Sequence, residues 1–259
     1  MKTPLPRFLP LLGLALGACA STPVTAIPDP GRLSAPERSG SQPASPGISQ
    51  HTLALPDGTL VRYTLSVPEG YLPGEPVPLV LALHFGGKIT PFYGRNILEL
   101  LVEPGLRELG AIIVAPDALD PGWNDPRDEA AVLALLDHVS ETYAIDPKRV
   151  LCTGYSMGGA GTWFIANRHQ DRFTAALPIA GRPPQEGQSW TIPLYVIHSR
   201  DDEVVPLGPT EAHVASLRNQ GADVRLVIVE GLRHFDTPRF VGPLQEAVPW
   251  LVEIWAQRP

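Results

Sequence analysis

From His51 onward the chain alternates short apolar runs with longer stretches of helical spacing. His51–Leu55 and Thr59–Val67 flank Pro56-Asp57-Gly58, a turn signal, and read as a β-hairpin. Leu79–His84 is a continuous apolar run, the pattern of a strand buried on both faces. Ala111–Ala115, Arg149–Thr153, Ala175–Ile179, Leu194–Ile197 and Val224–Val229 repeat that pattern. Between them the spacing predicts helices over Leu98–Leu109, Arg127–Tyr143, Gly159–Asn167, Thr210–Asn219 and Leu244–Trp255. Pro104 and Pro249 are expected to kink or break two of these helices. Strands alternating with helices predict an α/β fold: a mostly parallel twisted sheet of about eight strands, helices on both faces.

The first fifty residues follow another pattern. Lys2 and Arg7 precede Phe8–Leu16, an apolar stretch too short to span a bilayer, so residues 1–19 read as a secretion signal. The stretch ends in Leu16-Gly17-Ala18-Cys19, which resembles the bacterial lipobox, where the cysteine becomes the lipidated first residue after cleavage. Ala18-Cys19-Ala20 equally satisfies the A-x-A pattern of an ordinary secretory cleavage site. The lipobox resemblance, with Ala20 after the cysteine, implies the exported cell envelope and an N-terminal lipid anchor in the outer membrane. The ordinary site implies a periplasmic or secreted protein. Residues 20–49 are rich in Pro, Ser, Gly and Thr and read as a flexible tether, which leaves 50–259 as one folded domain.

Composition narrows the function. The chain is 44 % hydrophobic and 18 % charged, as a globular protein is. Its formal net charge of −7 argues against nucleic acid as a partner. Of the two cysteines, Cys19 belongs to the leader and Cys152 to a buried apolar run, so no disulfide framework is expected.

Candidate chemistry centres on Gly154-Tyr155-Ser156-Met157-Gly158, which lies between a predicted strand and a predicted helix. That is the context of a G-x-S-x-G nucleophile elbow, whose serine sits on a sharp turn with its Oγ exposed. A serine hydroxyl becomes a good nucleophile only when a base takes its proton; a neutral imidazole does so, and a carboxylate fixes the imidazole tautomer. Downstream, Tyr195-Val196-Ile197-His198 leads into Ser199-Arg200-Asp201-Asp202-Glu203-Val204-Val205-Pro206. This segment resembles the H-G-x-x-D-x-x-V-P stretch of many α/β-hydrolases, with Ser199 in place of the usual glycine. The resemblance makes Asp202 the acid, with Asp201 as its neighbouring competitor. Gly231-Leu232-Arg233-His234 follows the last strand and resembles the loop that carries the histidine. Serine, acid and histidine thus come in that family's order, each at a strand end.

A tetrahedral intermediate also needs donors for its oxyanion. The backbone N–H of Met157, next after the serine, is one candidate. The second is sought in His84-Phe85-Gly86-Gly87-Lys88, which resembles the H-G-G-G type of loop with Phe85 replacing the first glycine. Gly86 is the first choice there and Phe85 the next. Trp123, on the loop after Ala111–Ala115, either walls a substrate pocket or packs its loop onto the domain. Lys88 reads as a solvated loop residue. No C-x-x-C, H-E-x-x-H or histidine pair at ligand spacing occurs, so neither a catalytic metal nor a cofactor is expected.

Together these residues resemble the α/β-hydrolase superfamily over about His51–Trp255, in particular bacterial phospholipase/carboxylesterase, dienelactone-hydrolase-like and polyhydroxybutyrate-depolymerase-like esterases. The resemblance implies a carboxylesterase acting on small-molecule or polymer-linked esters through an acyl-serine. A serine peptidase of the same fold and a non-catalytic envelope lipoprotein are the alternatives. Gly181–Ser189, where many such enzymes insert a lid, is short and holds two prolines, so no large cap domain is expected.

Overall fold

The computed structural model describes Met1 and residues 45–185 and 189–257. Most of the leader and tether, including Cys19, lies outside the described residues. Among the described residues, eight strands form one sheet in the order β1-β2-β4-β3-β5-β6-β7-β8. β1 (Gly47–Ala54) and β2 (Leu60–Val67) make the antiparallel hairpin, and β2 also runs antiparallel to β4 (Ile112–Pro116). The rest are parallel: β3 (Val77–Leu83), β5 (Ile145–Tyr155), β6 (Ala175–Ile179), β7 (Leu194–Ser199) and β8 (Val224–Val229). β1 starts at Gly47, inside the stretch assigned to the tether. It is an edge strand paired on one side only; of its first four residues only Ile48 is a large apolar one, and it is exposed, so they carry little apolar signature.

Alternation along β3 explains the two cores. Leu79, Leu81 and Leu83 point to one face and Val80 and Ala82 to the other, because successive strand side chains alternate. The first face packs under α3 (Pro126–Thr142), α4 (Met157–Arg168) and α5 (Leu207–Asn219) through residues such as Leu135, Trp163 and Val214. The second packs under the helical run from Gly94 to Leu109 and under α7 (Val248–Ala256). Each buried leucine contributes about 1.5–3 kcal/mol. Cys152 is fully buried on β5, where burial drives its thiol pKa upward.

The two prolines act differently. The run from Gly94 continues past Pro104 as α1 (Gly94–Ile97), a π-helical turn (Leu98–Val102), α2 (Glu103–Leu106) and a 3₁₀ turn (Arg107–Leu109). Pro104 lacks the N–H that the Leu100 carbonyl would take in an α-helix, and the turn just before it widens to π spacing. Pro249 breaks nothing. The stretch expected as one helix is two, α6 (Val241–Gln245) and α7, and Pro249 lies in the first turn of α7, where a missing N–H costs least.

Candidate active site

The elbow sits where β5 ends and α4 begins. Ser156 has φ 56° and ψ −114°, a backbone conformation few side chains adopt, and its N–H donates to the Ile179 carbonyl at 2.9 Å. Sterics enforce the turn. A Cβ on Gly158 would run into the Leu83 carbonyl, and one on Gly154 would lie 2.8 Å from that same oxygen. Only glycine at both places lets the turn press against β3.

Ser156, His234 and Asp202 form one hydrogen-bonded row. Ser156 Oγ lies 2.7 Å from His234 Nε2, and His234 Nδ1 lies 2.8 Å from Asp202 Oδ2. The carboxylate only accepts, so Nδ1 carries the proton and Nε2 is free to accept from the serine. Asp202 is buried, and its other oxygen accepts the N–H groups of Val204 at 3.0 Å and Val205 at 2.7 Å. Asp201 turns away and accepts the Gly231 N–H at 2.6 Å. Ser199 stitches the acid loop to the histidine loop, its hydroxyl donating to the Leu232 carbonyl at 2.5 Å.

Three further residues hold His234 in place, and none stood out in the sequence. The Tyr155 hydroxyl donates to the His234 carbonyl at 2.7 Å, and Glu203 accepts the His234 N–H at 3.1 Å. Behind Asp202, His198 donates from Nε2 to the Val205 carbonyl at 2.8 Å and accepts from Thr210 at Nδ1, 3.0 Å. Burial lowers the His198 pKa, so a neutral ring stands 3.7 Å from the Asp202 carboxylate.

The loop after β3 lies beside the elbow: a Cβ on Gly86 would sit 3.8 Å from Met157 Cβ. His84 pins this loop. Its Nε2 accepts the Ala118 N–H at 3.0 Å, so Nδ1 carries the proton and donates to the Phe85 carbonyl at 2.8 Å. Burial pushes the His84 pKa down to about 4, which keeps the ring neutral in this role. The His84 carbonyl in turn accepts from Trp123 Nε1 at 3.0 Å. Peptide units are planar and trans, so fixing the carbonyls of residues 84 and 85 also fixes the N–H directions of Phe85 and Gly86. Lys88 is exposed on the same loop.

Residues 115–238 match the Dienelactone hydrolase family. Feruloyl esterase C of Emericella nidulans is 30 % identical over 160 residues, which are 56 % of this chain and 56 % of that protein. Feruloyl esterase D of Neurospora crassa is 27 % identical over 220 residues, 78 % of this chain and 69 % of that protein. A solved thermostable esterase superposes with a TM-score of 0.65 at 26 % identity, over 80 % of this chain and 62 % of that one. The chain has the α/β-hydrolase fold. It spans little more than half the length of the feruloyl esterases C that it matches.

Next to the elbow the chain has a cleft of about 300 Å³, lined by Trp123, Met157, Phe164, Arg182 and Pro184 among others. Trp123 packs its loop onto the domain, 2 % exposed and donating to the His84 carbonyl, and it also lines this cleft. Among the described residues, no helix lies between β6 and β7. The structure also gathers Asp120, Asp125 and Asp128, a grouping absent from the sequence reading. These carboxylates are engaged already. Asp125 caps α3, Asp120 pairs with Arg127 at 3.1 Å, and Asp128 accepts the Leu119 N–H at 2.6 Å, with burial raising its pKa to about 6.

Proposed function

We propose that this chain is a serine carboxylic-ester hydrolase acting through an acyl-serine intermediate. The row from Ser156 Oγ through His234 to Asp202, at 2.7 and 2.8 Å, carries the reading. Nε2 of His234 takes the serine proton as Oγ attacks the ester carbonyl, and Asp202 stabilises the imidazolium that forms. The N–H of Met157 and that of Gly86, or of Phe85 in its place, receive the oxyanion. The imidazolium then protonates the leaving alkoxide as its C–O bond breaks, and water repeats the sequence on the acyl-serine. The step needs no metal or cofactor.

The similarity to feruloyl esterases supports esters of ferulic-type acids, small or polymer-linked, as the substrate class. The cleft at Met157 is large enough for one aromatic acyl group and has an aromatic wall in Trp123. The test is hydrolysis of methyl ferulate and of p-nitrophenyl esters from acetate to palmitate, with Ser156→Ala alongside. Serine-dependent turnover with methyl ferulate among the better substrates is the expected result. Ser156 labelled by a fluorophosphonate without ester turnover would point to a peptidase; no labelling of folded protein would point to a binding protein.

The lipid anchor at Cys19, with residence in the outer membrane, is part of the same proposal and rests on the lipobox-like sequence alone. Among the described residues no helix is long and apolar enough to cross a membrane. Labelling of cells with an alkynyl fatty acid should mark the wild-type chain and leave Cys19→Ala unmarked.

A further inference from the structure

The loop after β3 contains Gly86-Gly87, both exposed, and glycine has the least backbone constraint of its own. A donor on such a loop serves an oxyanion only if it is aimed before the charge develops. His84 fixes the peptide unit that precedes Gly86. A second support stands on the other side. The Tyr93 ring is nearly perpendicular to the His84 ring, with 4.8 Å between centroids, and to the Phe85 ring, with 5.9 Å. Its hydroxyl reaches the Gly86 carbonyl at 3.5 Å, the long limit of a hydrogen bond. A Cβ on Gly87 would run into that hydroxyl. Tyr93 therefore nests over the two glycines.

Tyr93 is itself gripped. Asp117, buried just after β4, accepts the Phe92 N–H at Oδ2, 2.7 Å, and the Gly94 N–H at Oδ1, 2.9 Å. One carboxylate thus holds the residues on both sides of Tyr93. Phe92 needs that hold: its φ is 62°, a left-handed conformation that bulky residues avoid unless their surroundings enforce it. Gly94 adds no slack, because a Cβ there would meet the Ala115 carbonyl. The next residue after Asp117 is Ala118, whose N–H goes to His84. The turn after β4 therefore reaches the glycine loop by two routes, one through His84 and one through Tyr93.

We propose that Asp117 and Tyr93 are positioning residues for the oxyanion donor: Asp117 sets Tyr93, and Tyr93 keeps Gly86-Gly87 from swinging away. This rests on the ester-hydrolase reading above. Both residues act through the loop, so their loss should weaken the transition state and leave substrate binding alone.

The test is the kinetics of Tyr93 and Asp117 variants on methyl ferulate. Tyr93→Ala is expected to lower kcat about 10- to 100-fold, less than the loss of an oxyanion donor outright, with KM within about twofold of wild type. Inhibition by a boronic acid, whose tetrahedral adduct on Ser156 puts an oxygen in the oxyanion position, should weaken by the same factor. Tyr93→Phe keeps the ring and should bring kcat back to within about fivefold of wild type. Asp117→Asn keeps one acceptor oxygen and should fall between Asp117→Ala and wild type. An unchanged kcat in folded Tyr93→Ala would overturn the proposal. So would a loss carried by KM, which would make Tyr93 a wall of the substrate site. One measurement needs no turnover: backbone order parameters at Gly86 and Gly87, by NMR, should fall from about 0.85 toward about 0.6 in Tyr93→Ala and Asp117→Asn, and unchanged values would overturn the brace. A wild type that cleaves no ester while the variants show this loss of order would fail the hydrolase reading and leave the brace standing.

Discussion

The two halves of the site are held by different physics. On the side of the nucleophile, Gly154 and Gly158 press the elbow against the Leu83 carbonyl, and Ser156 is forced to a positive φ. Nothing there can move without a clash. On the side of the base, His234 and Asp202 sit on separate loops joined by hydrogen bonds that Ser199 donates and Glu203 and Asp201 accept, while the Tyr155 hydroxyl donates to the His234 carbonyl. One half is fixed by repulsion, which fails abruptly; the other by many small attractions, which fail by degrees. The comparison suggests where substitutions should be severe and where graded.

Removing the chemistry itself should have the largest effect. Ser156→Ala should lower kcat by about 10⁶-fold with the fold intact, measured by burst-free turnover and circular dichroism. Asp202→Asn should cost about 10⁴-fold, because an amide donates to Nδ1 and reverses the imidazole tautomer. Gly158→Ala tests the repulsive half: the new Cβ meets backbone on β3, and a loss of more than about 4 kcal/mol in urea unfolding is expected. A loss under about 1 kcal/mol would mean that the elbow can yield.

His84 gives a pH test. Its pKa falls from 6.5 to about 4 on folding. Below pH 6.5 the unfolded chain takes up the proton first, so this residue destabilises the fold progressively as pH drops to 4, and no further below that. The span is worth about 3 kcal/mol. Asp128, raised to about 6, works in the opposite sense over much of the same window. The measurement is therefore the difference between wild type and His84→Gln: the acid-induced loss of stability should be smaller in the variant. The smallest effect belongs to the attractive half. Ser199→Gly removes the donor to Leu232 and should cost about 1 kcal/mol with a modest fall in kcat.

Most of the sheet was legible because its inner strands are buried on both faces and read as unbroken apolar runs, as β6 does in matching Ala175–Ile179 residue for residue. Edges were less so: β1 opens with Gly47, an exposed Ile48, Ser49 and Gln50, too few buried apolar positions to mark a strand. The serine, acid and histidine were legible as types at strand ends, and the resemblance placed Asp202 ahead of Asp201; the structure adds that the two neighbours of equal charge bond to different groups of one loop, Asp202 to the His234 ring and Asp201 to the Gly231 N–H. His84 was invisible as a brace. Its role depends on the Ala118 N–H, 34 residues away in sequence, and no local pattern encodes such a partner.

The bond from Tyr155 to the His234 carbonyl spans 79 positions of the chain. It joins the residue just before the nucleophile to the base itself, so the two ends of the domain's second half must meet before either is in order. A growing polypeptide that has emerged only as far as β7 has its serine but no proton acceptor, and its tyrosine hydroxyl has nothing to hold. On the proposed mechanism, competence therefore arrives late in biosynthesis, when the closing quarter of the chain docks, and a half-made copy is chemically silent.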